Sequence, residues 1–515
     1  MADELSGAES RMTSNQLVAS LGDQLRSTHL VVVGNREPYI HIRRVCEPKW
    51  WRRMLGAKPA EELTWTRPAS GVVTALDPVM RACGGTWVAH GSGNADVEAS
   101  DAKGRVRVPP DRPSYTLRRV WLTREDEDGY YYGASNNAIW PLCHIAYARP
   151  EFRDSDWEAY SRVNRRFAET VLDEIGSRPA IVFIQDYHFA LLPRFIKDAR
   201  PDVVVCQFWH IPWPNAEMFR VCPWAEQILH GLLGNDLLSF HIQYHCNNFL
   251  ETVERTLEAR VDYEHFAVVR GGQPTILKPF AISIDPDLWT MPPRFDREAE
   301  ERTVRESLGI RDERIVFGVD RLDYTKGIPD RLRAFERLLA RHPDWREKAV
   351  FVQIGAPSRD QLARYRTLSE EVEAIVAEVN GRFGTATWQP VVYVHEHREP
   401  AQIAAIYRAA SVCVVSSLHD GMNLVAKEFI ASRGDERGVL VLSSFTGAAR
   451  ELQEAVLVNP FAIDQFGDAL HTALSMPAEQ QERRMRALRA RVHNHTVFDW
   501  AAGILRAAGS MVVAA

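Results

Sequence analysis

The stretch Ser417-Leu418-His419-Asp420-Gly421-Met422-Asn423-Leu424-Val425-Ala426-Lys427-Glu428 joins a polar loop to a segment with helical apolar spacing. The N-terminus of such a helix offers free N–H groups to phosphate, and Glu428, about one turn in, can accept hydrogen bonds from a ribose diol. Together they form a cradle suited to a nucleotide sugar. In Gly318-Val319-Asp320-Arg321-Leu322-Asp323-Tyr324-Thr325-Lys326-Gly327-Ile328, Arg321 and Lys326 are close enough to neutralise a diphosphate, the guanidinium by a two-pronged contact and the ammonium as a point charge. The plainer alternative is an ion-pair network with Asp320 and Asp323. His210 lies in Gln207-Phe208-Trp209-His210-Ile211-Pro212-Trp213-Pro214, where aromatics and prolines hold it rigidly; the alternative is a satisfied core histidine. Asp186, in Ile184-Gln185-Asp186-Tyr187-His188, can bind sugar hydroxyls or cap a helix. Tyr131 and Trp140 bracket a run with Asn136 and Asn137, aromatics beside amides that can stack on a pyranose or simply pack.

The run 410–416 before the first of these segments is apolar and β-branched and reads as a buried strand, and the other clusters are likewise placed at the ends of predicted strands. Leu30–Val33 reads as a strand with Arg36 on the loop behind it. Residues 37–67 carry a basic cluster without a period and read as an excursion from the core. Ser70-Gly71-Val72-Val73 reopens regular structure as a helix to about Met80. Further strands are expected at 180–184 and 203–208, with helices at 157–175 and 225–233. A second series begins near Asp285, with strands at 315–319, 349–354, 391–394, 412–416 and 439–442 and amphipathic helices at 330–340 and 402–409. Two successive βα series predict two doubly wound α/β domains facing a cleft. The divisions expected are a flexible tail over 1–28, a first domain over 29–285, a second over 286–490 and a helical segment over 491–515 crossing back to the first. The boundary is set where Asp285-Pro286 and Pro292-Pro293 punctuate the chain.

Composition narrows the function classes. A chain of 515 residues, 45% hydrophobic, has material for two cores. Its net charge of −6, from 62 basic and 68 acidic residues well mixed, lacks the basic stripe of a nucleic-acid binder. The seven cysteines are scattered and form no Cys-x-x-Cys pair, which argues against a disulfide framework or structural zinc and for a reducing cytoplasm. No leader pattern and no run of about 18 apolar residues is found, so neither a membrane anchor nor a membrane partner is expected.

Gly34-Asn35-Arg36, Asp186-Tyr187-His188, His210-Ile211-Pro212-Trp213-Pro214, Arg321-Leu322-Asp323-Tyr324-Thr325-Lys326-Gly327 and Asp420 to Glu428 resemble, in order, the motifs of the trehalose-6-phosphate synthases. The resemblance runs from about Leu30 onward. It implies a GT-B fold, two Rossmann-like domains with the active site between them. It also implies transfer of glucose from a nucleotide diphosphate glucose, UDP-glucose first among candidates, to glucose 6-phosphate, with retention and without a metal or other cofactor. Carried over by motif, Gly71, Arg321, Lys326, Asp420, Gly421, Met422, Asn423, Leu424 and Glu428 would hold the donor. Arg36, Tyr131, Trp140, Asp186 and Arg359 would surround the acceptor. His210, Arg321, Lys326 and Asp186 would serve the chemistry. A homo-oligomer stays open.

The chain departs from the family pattern in two places. Ser70-Gly71 stands where paired glycines are usual, and His90 stands near the expected acceptor pocket where a tryptophan is usual. These departures leave open another phosphorylated acceptor, such as glycerol 3-phosphate or a cyclitol phosphate. A non-catalytic sugar-phosphate sensor is disfavoured because the basic pair, His210 and Glu428 are all present, and a nucleotide-sugar epimerase by the two acceptor-side arginines.

Overall fold

A computed structural model describes residues 16, 17, 20–22, 25, 28–46, 60–68, 71–291 and 295–512. Ser70 and the Pro292-Pro293 pair therefore lie outside the described residues. The architecture is GT-B, built on two large α/β sheets. The first has ten strands in the order β10-β11-β12-β9-β8-β7-β1-β4-β6-β5. These are β1 (His29–Arg36), β4 (Thr86–His90), β5 (Arg105–Val108), β6 (Tyr115–Val120), β7 (Ala180–Gln185), β8 (Val204–Phe208), β9 (Leu237–Phe240), β10 (Arg260–Asp262), β11 (Ala267–Arg270) and β12 (Gln273–Pro279). From β12 to β6 every pairing is parallel; only the outer pairs β10/β11, β11/β12 and β5/β6 are antiparallel. Val31, Val33, Val182 and Ile184 of the central strands are fully buried, as a parallel sheet covered on both faces requires.

The second sheet is wholly parallel, in the order β15-β14-β13-β16-β17-β18. Its strands are β13 (Arg314–Arg321), β14 (Ala349–Ala356), β15 (Val391–Val394), β16 (Val412–Val415), β17 (Val439–Ser443) and β18 (Val456–Val458). The segments between them include the helices Ile328–Arg341, Ala363–Phe383, Pro400–Ala409 and Leu424–Ser432.

Several expectations change. Within 37–67, read as an excursion from the core, the described residues carry regular structure: β2 (Ile40–Cys46) and β3 (Ala60–Thr66) form an antiparallel hairpin separate from the two large sheets. It is tied down by the buried Arg119, which donates to Glu37 at 2.7 Å and pairs with Asp96 at 2.8 Å, while the His41 N–H donates to Asp96 at 2.8 Å. No periodicity revealed it because a hairpin exposed on one face carries charges on both strands. Of residues 1–28, expected as a flexible tail, Leu17, Leu21 and Leu25 are buried in the first core. Arg36 does not sit on a loop but ends β1, since pairing with β4 continues through a bulge to Arg36↔His90. The last helix, Val497–Val512, lies on the first sheet, with Trp500 fully buried against Phe208, ring centroids 5.1 Å apart, and Phe183, 6.0 Å.

Candidate functional site

Each sheet reverses its winding once. After β1 the chain adds β4 and β6 on one side, then crosses to β7 on the other; after β13 it adds β14 and β15, then crosses to β16. Adjacent strands whose connections diverge leave a crevice at their carboxyl ends. The residues at those ends are Arg36 and Asp186 in the first sheet and Arg321 and the 417–423 loop in the second. The two crevices face each other, and two adjoining cavities fill the space between them.

The larger cavity, about 990 Å³, is lined from the second domain by Arg321, Arg359, Leu424 and Glu428 and from the first by Arg36, Gly71 and Tyr131. Among the described residues no carboxylate forms a direct ion pair with Arg321, whose charge acts on Asp186 and Asp323 only from a distance. Two helix N-termini meet here: a Cβ on Gly71, which opens the helix Gly71–Cys83, would sit 2.9 Å from Leu424, which opens the helix Leu424–Ser432. Partial positive charge from both helix ends adds to the guanidiniums. Glu428 accepts from the Tyr407 hydroxyl at 3.3 Å, and burial pushes its carboxyl up to about 7. Beyond it the cavity widens onto Trp289, Ile354, Ile403 and Tyr407, room for a flat apolar group.

The smaller cavity, about 400 Å³, shares Arg36, Gly71, Tyr131, Arg321, Arg359 and Leu424 with the first and adds Trp140, Gln185, Asp186 and His188. Arg359 stands 4.5 Å over the Trp140 ring, a cation–π contact between the domains, and donates to Asp323 at 3.1 Å. Tyr131 shows how positive this place is. Burial alone would raise its phenol pKa, yet Arg359, Arg36 and Arg321 together bring it below the usual value. Asp186 behaves oppositely: burial raises its carboxyl to about 7 against the pull of the Tyr187 and His210 N–H groups. Around the cavity Trp140 Nε1, Gln185 Nε2, Arg359 Nε and both ring nitrogens of His188 are buried without a hydrogen-bond partner among the described residues. Orphaned donors are rare in a folded chain; gathered about one cavity, they call for a polar ligand.

Backbone strain concentrates in the same place. Asp186 has φ 73° and ψ 177°, a region that side chains other than glycine seldom occupy, and Arg359 and Asn423 also have positive φ, 54° and 90°.

The remaining predicted residues adjoin the linings of these two cavities without being part of them. Lys326 and Asp420, separately expected to meet a ligand, pair with each other at 2.5 Å, and neither is in the lining of these two cavities. Burial works against both charges, but each holds the other ionised: Lys326 stays above its usual pKa and Asp420 well below the carboxylate range. Asn423 caps the Leu424 helix by accepting from the Ala426 N–H at 3.1 Å. Met422 is buried, and its carbonyl accepts from the Ala448 N–H at 2.9 Å. Gly421 is required for contact between the domains, because a Cβ there would collide with the His210 carbonyl. His210 adjoins the smaller cavity through Gln185 and Asp186, which line it. Its Nε2 is 3.0 Å from Gln185 Oε1, its N–H donates to Asp186 at 3.3 Å, and burial, then the neighbouring His188, pushes its pKa down to about 3, so the ring is neutral.

Sequence reasoning missed several parts of this arrangement. Tyr131 rides on a π-helix, Asp128–Ile139, that ends at Trp140; Gly133 lets it lie against Asp156 of the helix Asp154–Ile175. No apolar spacing marks a π-helix. Arg331, fully buried, joins Asp320 near the end of β13 to Ser416 Oγ just after β16 and so ties these two strand ends together. Asp320 and Asp323, the suspected partners of the Arg321–Lys326 pair, are instead engaged by Arg331 and Arg359. His90 lines a separate cavity of about 250 Å³ that adjoins the smaller one at Arg36 and Tyr131.

Comparison with known proteins gives a consistent picture. The model of glycosyltransferase family 20 matches residues 31–509. A trehalose-6-phosphate synthase of Mycobacterium avium is 39% identical over 458 residues, covering 87% of this chain and 92% of its own. Among solved structures, an α,α-trehalose-phosphate synthase (UDP-forming) from Burkholderia xenovorans in complex with glucose-6-phosphate superposes with a TM-score of 0.78 at 29% identity, over 93% of this chain and 99% of that one. A trehalose-6-phosphate structure from E. coli bound with UDP-2-fluoro glucose gives 0.80 at 27% identity, over 94% and 99%.

Proposed function

Because the chain belongs to glycosyltransferase family 20, we propose that it transfers glucose from UDP-glucose to glucose 6-phosphate with retention of configuration, forming α,α-trehalose 6-phosphate. The observation that carries this reading is the pair of adjoining cavities with Arg36, Arg321 and Arg359 on their shared wall. One cavity has a carboxylate, Glu428, and an apolar end, as a nucleotide needs; the other has aromatic rings and orphaned donors, as a sugar phosphate needs.

In this reading residues 286–490 bind the donor and residues 29–285 the acceptor. Glu428 takes the ribose diol. Arg321, the N-termini at Gly71 and Leu424, and Lys326 held by Asp420 stabilise the negative charge that develops on the leaving diphosphate. The loop from Asp420 through Gly421, Met422 and Asn423 holds the donor glucose. Arg36 and Arg359 take the acceptor phosphate, Tyr131 and Trp140 its ring, and Asp186 its hydroxyls. His210, neutral and fixed by Gln185, stands beside the reacting carbon.

Retention needs either a carboxylate nucleophile or departure and attack on the same face. Asp420 is committed to Lys326, Asp320 to Arg331 and Asp323 to Arg359, which supports same-face substitution. The diphosphate oxygen then accepts the proton of the attacking hydroxyl. The basic groups do the work that a metal does in other transferases, so neither a metal nor a separate cofactor enters the proposal. We place the reaction in the cytoplasm; among the described residues no helix is long and apolar enough to cross a membrane.

The test is release of nucleoside diphosphate from UDP-, GDP- and ADP-glucose against glucose 6-phosphate, glycerol 3-phosphate and free glucose. The pair UDP-glucose and glucose 6-phosphate should turn over fastest. Equal activity with free glucose would refute the phosphate role of Arg36 and Arg359.

A further inference from the structure

We infer that His188 reads the acceptor: its imidazole and the free oxygen of Asp186 form a fork that takes one hydroxyl of the sugar phosphate and so selects which hexose phosphate is bound. The inference rests on the assignment of the smaller cavity to the acceptor. His188 is only 8% exposed, lines that cavity, and has no hydrogen-bond partner on either ring nitrogen among the described residues. A buried imidazole left so costs free energy unless a ligand completes it.

The ring is held in place. It stacks on Tyr131, centroids 5.8 Å apart at 8°, and on Tyr187, 4.2 Å at 28°. Asp186 Oδ1 is occupied by the N–H groups of Tyr187, 2.9 Å, and His210, 3.3 Å. Its Oδ2 lies 3.9 Å from His188 Nδ1, too far for a direct hydrogen bond. That spacing lets one hydroxyl oxygen reach both groups, donating to the carboxylate and accepting from the imidazole N–H.

The electrostatics agree with a hydroxyl rather than a phosphate. Burial, reinforced by the charges of Arg359 and Arg36, pushes the His188 pKa down to about 3, so the ring offers one donor and one acceptor and no charge. The three guanidiniums on the cavity wall are the stronger anion hosts.

The experiment uses His188→Phe, which keeps an aromatic ring in the stack but removes both nitrogens, and His188→Gln, which restores a polar side chain. Steady-state kinetics are measured with UDP-glucose and four acceptors: glucose 6-phosphate and its 2-, 3- and 4-deoxy analogues. With glucose 6-phosphate, His188→Phe should raise KM by roughly tenfold, the size expected for one net hydrogen bond, with kcat and the KM for UDP-glucose little changed. For one analogue, the one lacking the hydroxyl that is read, wild type and His188→Phe should have the same kcat/KM. His188→Gln should recover part of the loss. Equal losses across all four acceptors, no loss at all, or loss of donor affinity in both variants would overturn the inference while the proposed reaction stands. Wild-type protein that uses no hexose 6-phosphate would overturn the proposed reaction and this inference with it.

Discussion

A guanidinium that lines a cavity without a direct ion pair is available to a ligand, and among the described residues Arg321 is in that position whereas Lys326, paired with Asp420, is not. Removing Arg321 withdraws a charge aimed at the leaving group and should leave the local packing intact. We predict that Arg321→Ala lowers kcat by about 10²-fold, and that Lys326→Ala does at least as much because it also strands the Asp420 carboxylate. Near wild-type turnover in steady-state assays of either variant would refute the role. Asp186 supplies a pH test. Its pKa is raised to about 7, so it is largely neutral below that value and ionised above it. An acceptor hydroxyl that donates to it binds the ionised form better, so the KM for the acceptor should rise as pH falls through about 7. In Asp186→Asn that dependence should be absent, leaving only the titration of the substrate phosphate; identical profiles in the two proteins would contradict the assignment.

At the scale of elements, glycines decide how closely loops approach. Gly421 brings the loop before the Leu424 helix against the His210 carbonyl, and Gly327, with φ 61°, brings the turn after β13 against the Ser416 carbonyl. Gly421→Ala must push the loop away from the first domain. Because displacement of catalytic groups by about 1 Å can cost about 10²-fold in rate, we expect a fall in kcat of that order with the nucleotide KM less affected. Stopped-flow or steady-state measurement of the two parameters separates them. The strands and helices of the second domain were legible in the sequence because each buries a continuous apolar run or one apolar face. The β2–β3 hairpin and the π-helix were not. The first carries charges on both strands, and the second is set by how Gly129 and Gly133 pack against the neighbouring Asp154–Ile175 helix.

For the molecule as a whole, the site exists only while the two domains face each other. They are joined at the cleft by Arg359 over Trp140, by the Ile145 N–H donating to His419 at 3.3 Å, and by Arg364 donating to the Arg149 carbonyl at 2.9 Å. Behind the cleft, the chain returns to the first sheet through Trp500, which contacts Phe208 and lies 5.8 Å from the His210 ring. Trp500→Ala would leave a large cavity under β8, and we predict a loss of about 3–5 kcal/mol of stability, measured by urea unfolding followed through tryptophan fluorescence. Because that cavity lies beneath His210, turnover should fall as well; a fully stable, fully active variant would show that the last helix is dispensable.

The sequence by itself determined two βα series and the chemistry at their strand ends: a guanidinium at Arg321, a carboxylate one turn into the helix at Glu428, a helix N-terminus at Leu424. These are properties of short segments, set by side-chain type and by the periods of strand and helix. Only the tertiary structure decided which groups face a ligand and which face one another. Lys326 and Asp420, 94 residues apart, become a pair, while Arg36 and Arg321 reach one wall from different domains. Burial then reset the proton affinities of Asp186, Glu428, His188 and His210, and burial is a sum over neighbours that no local segment contains.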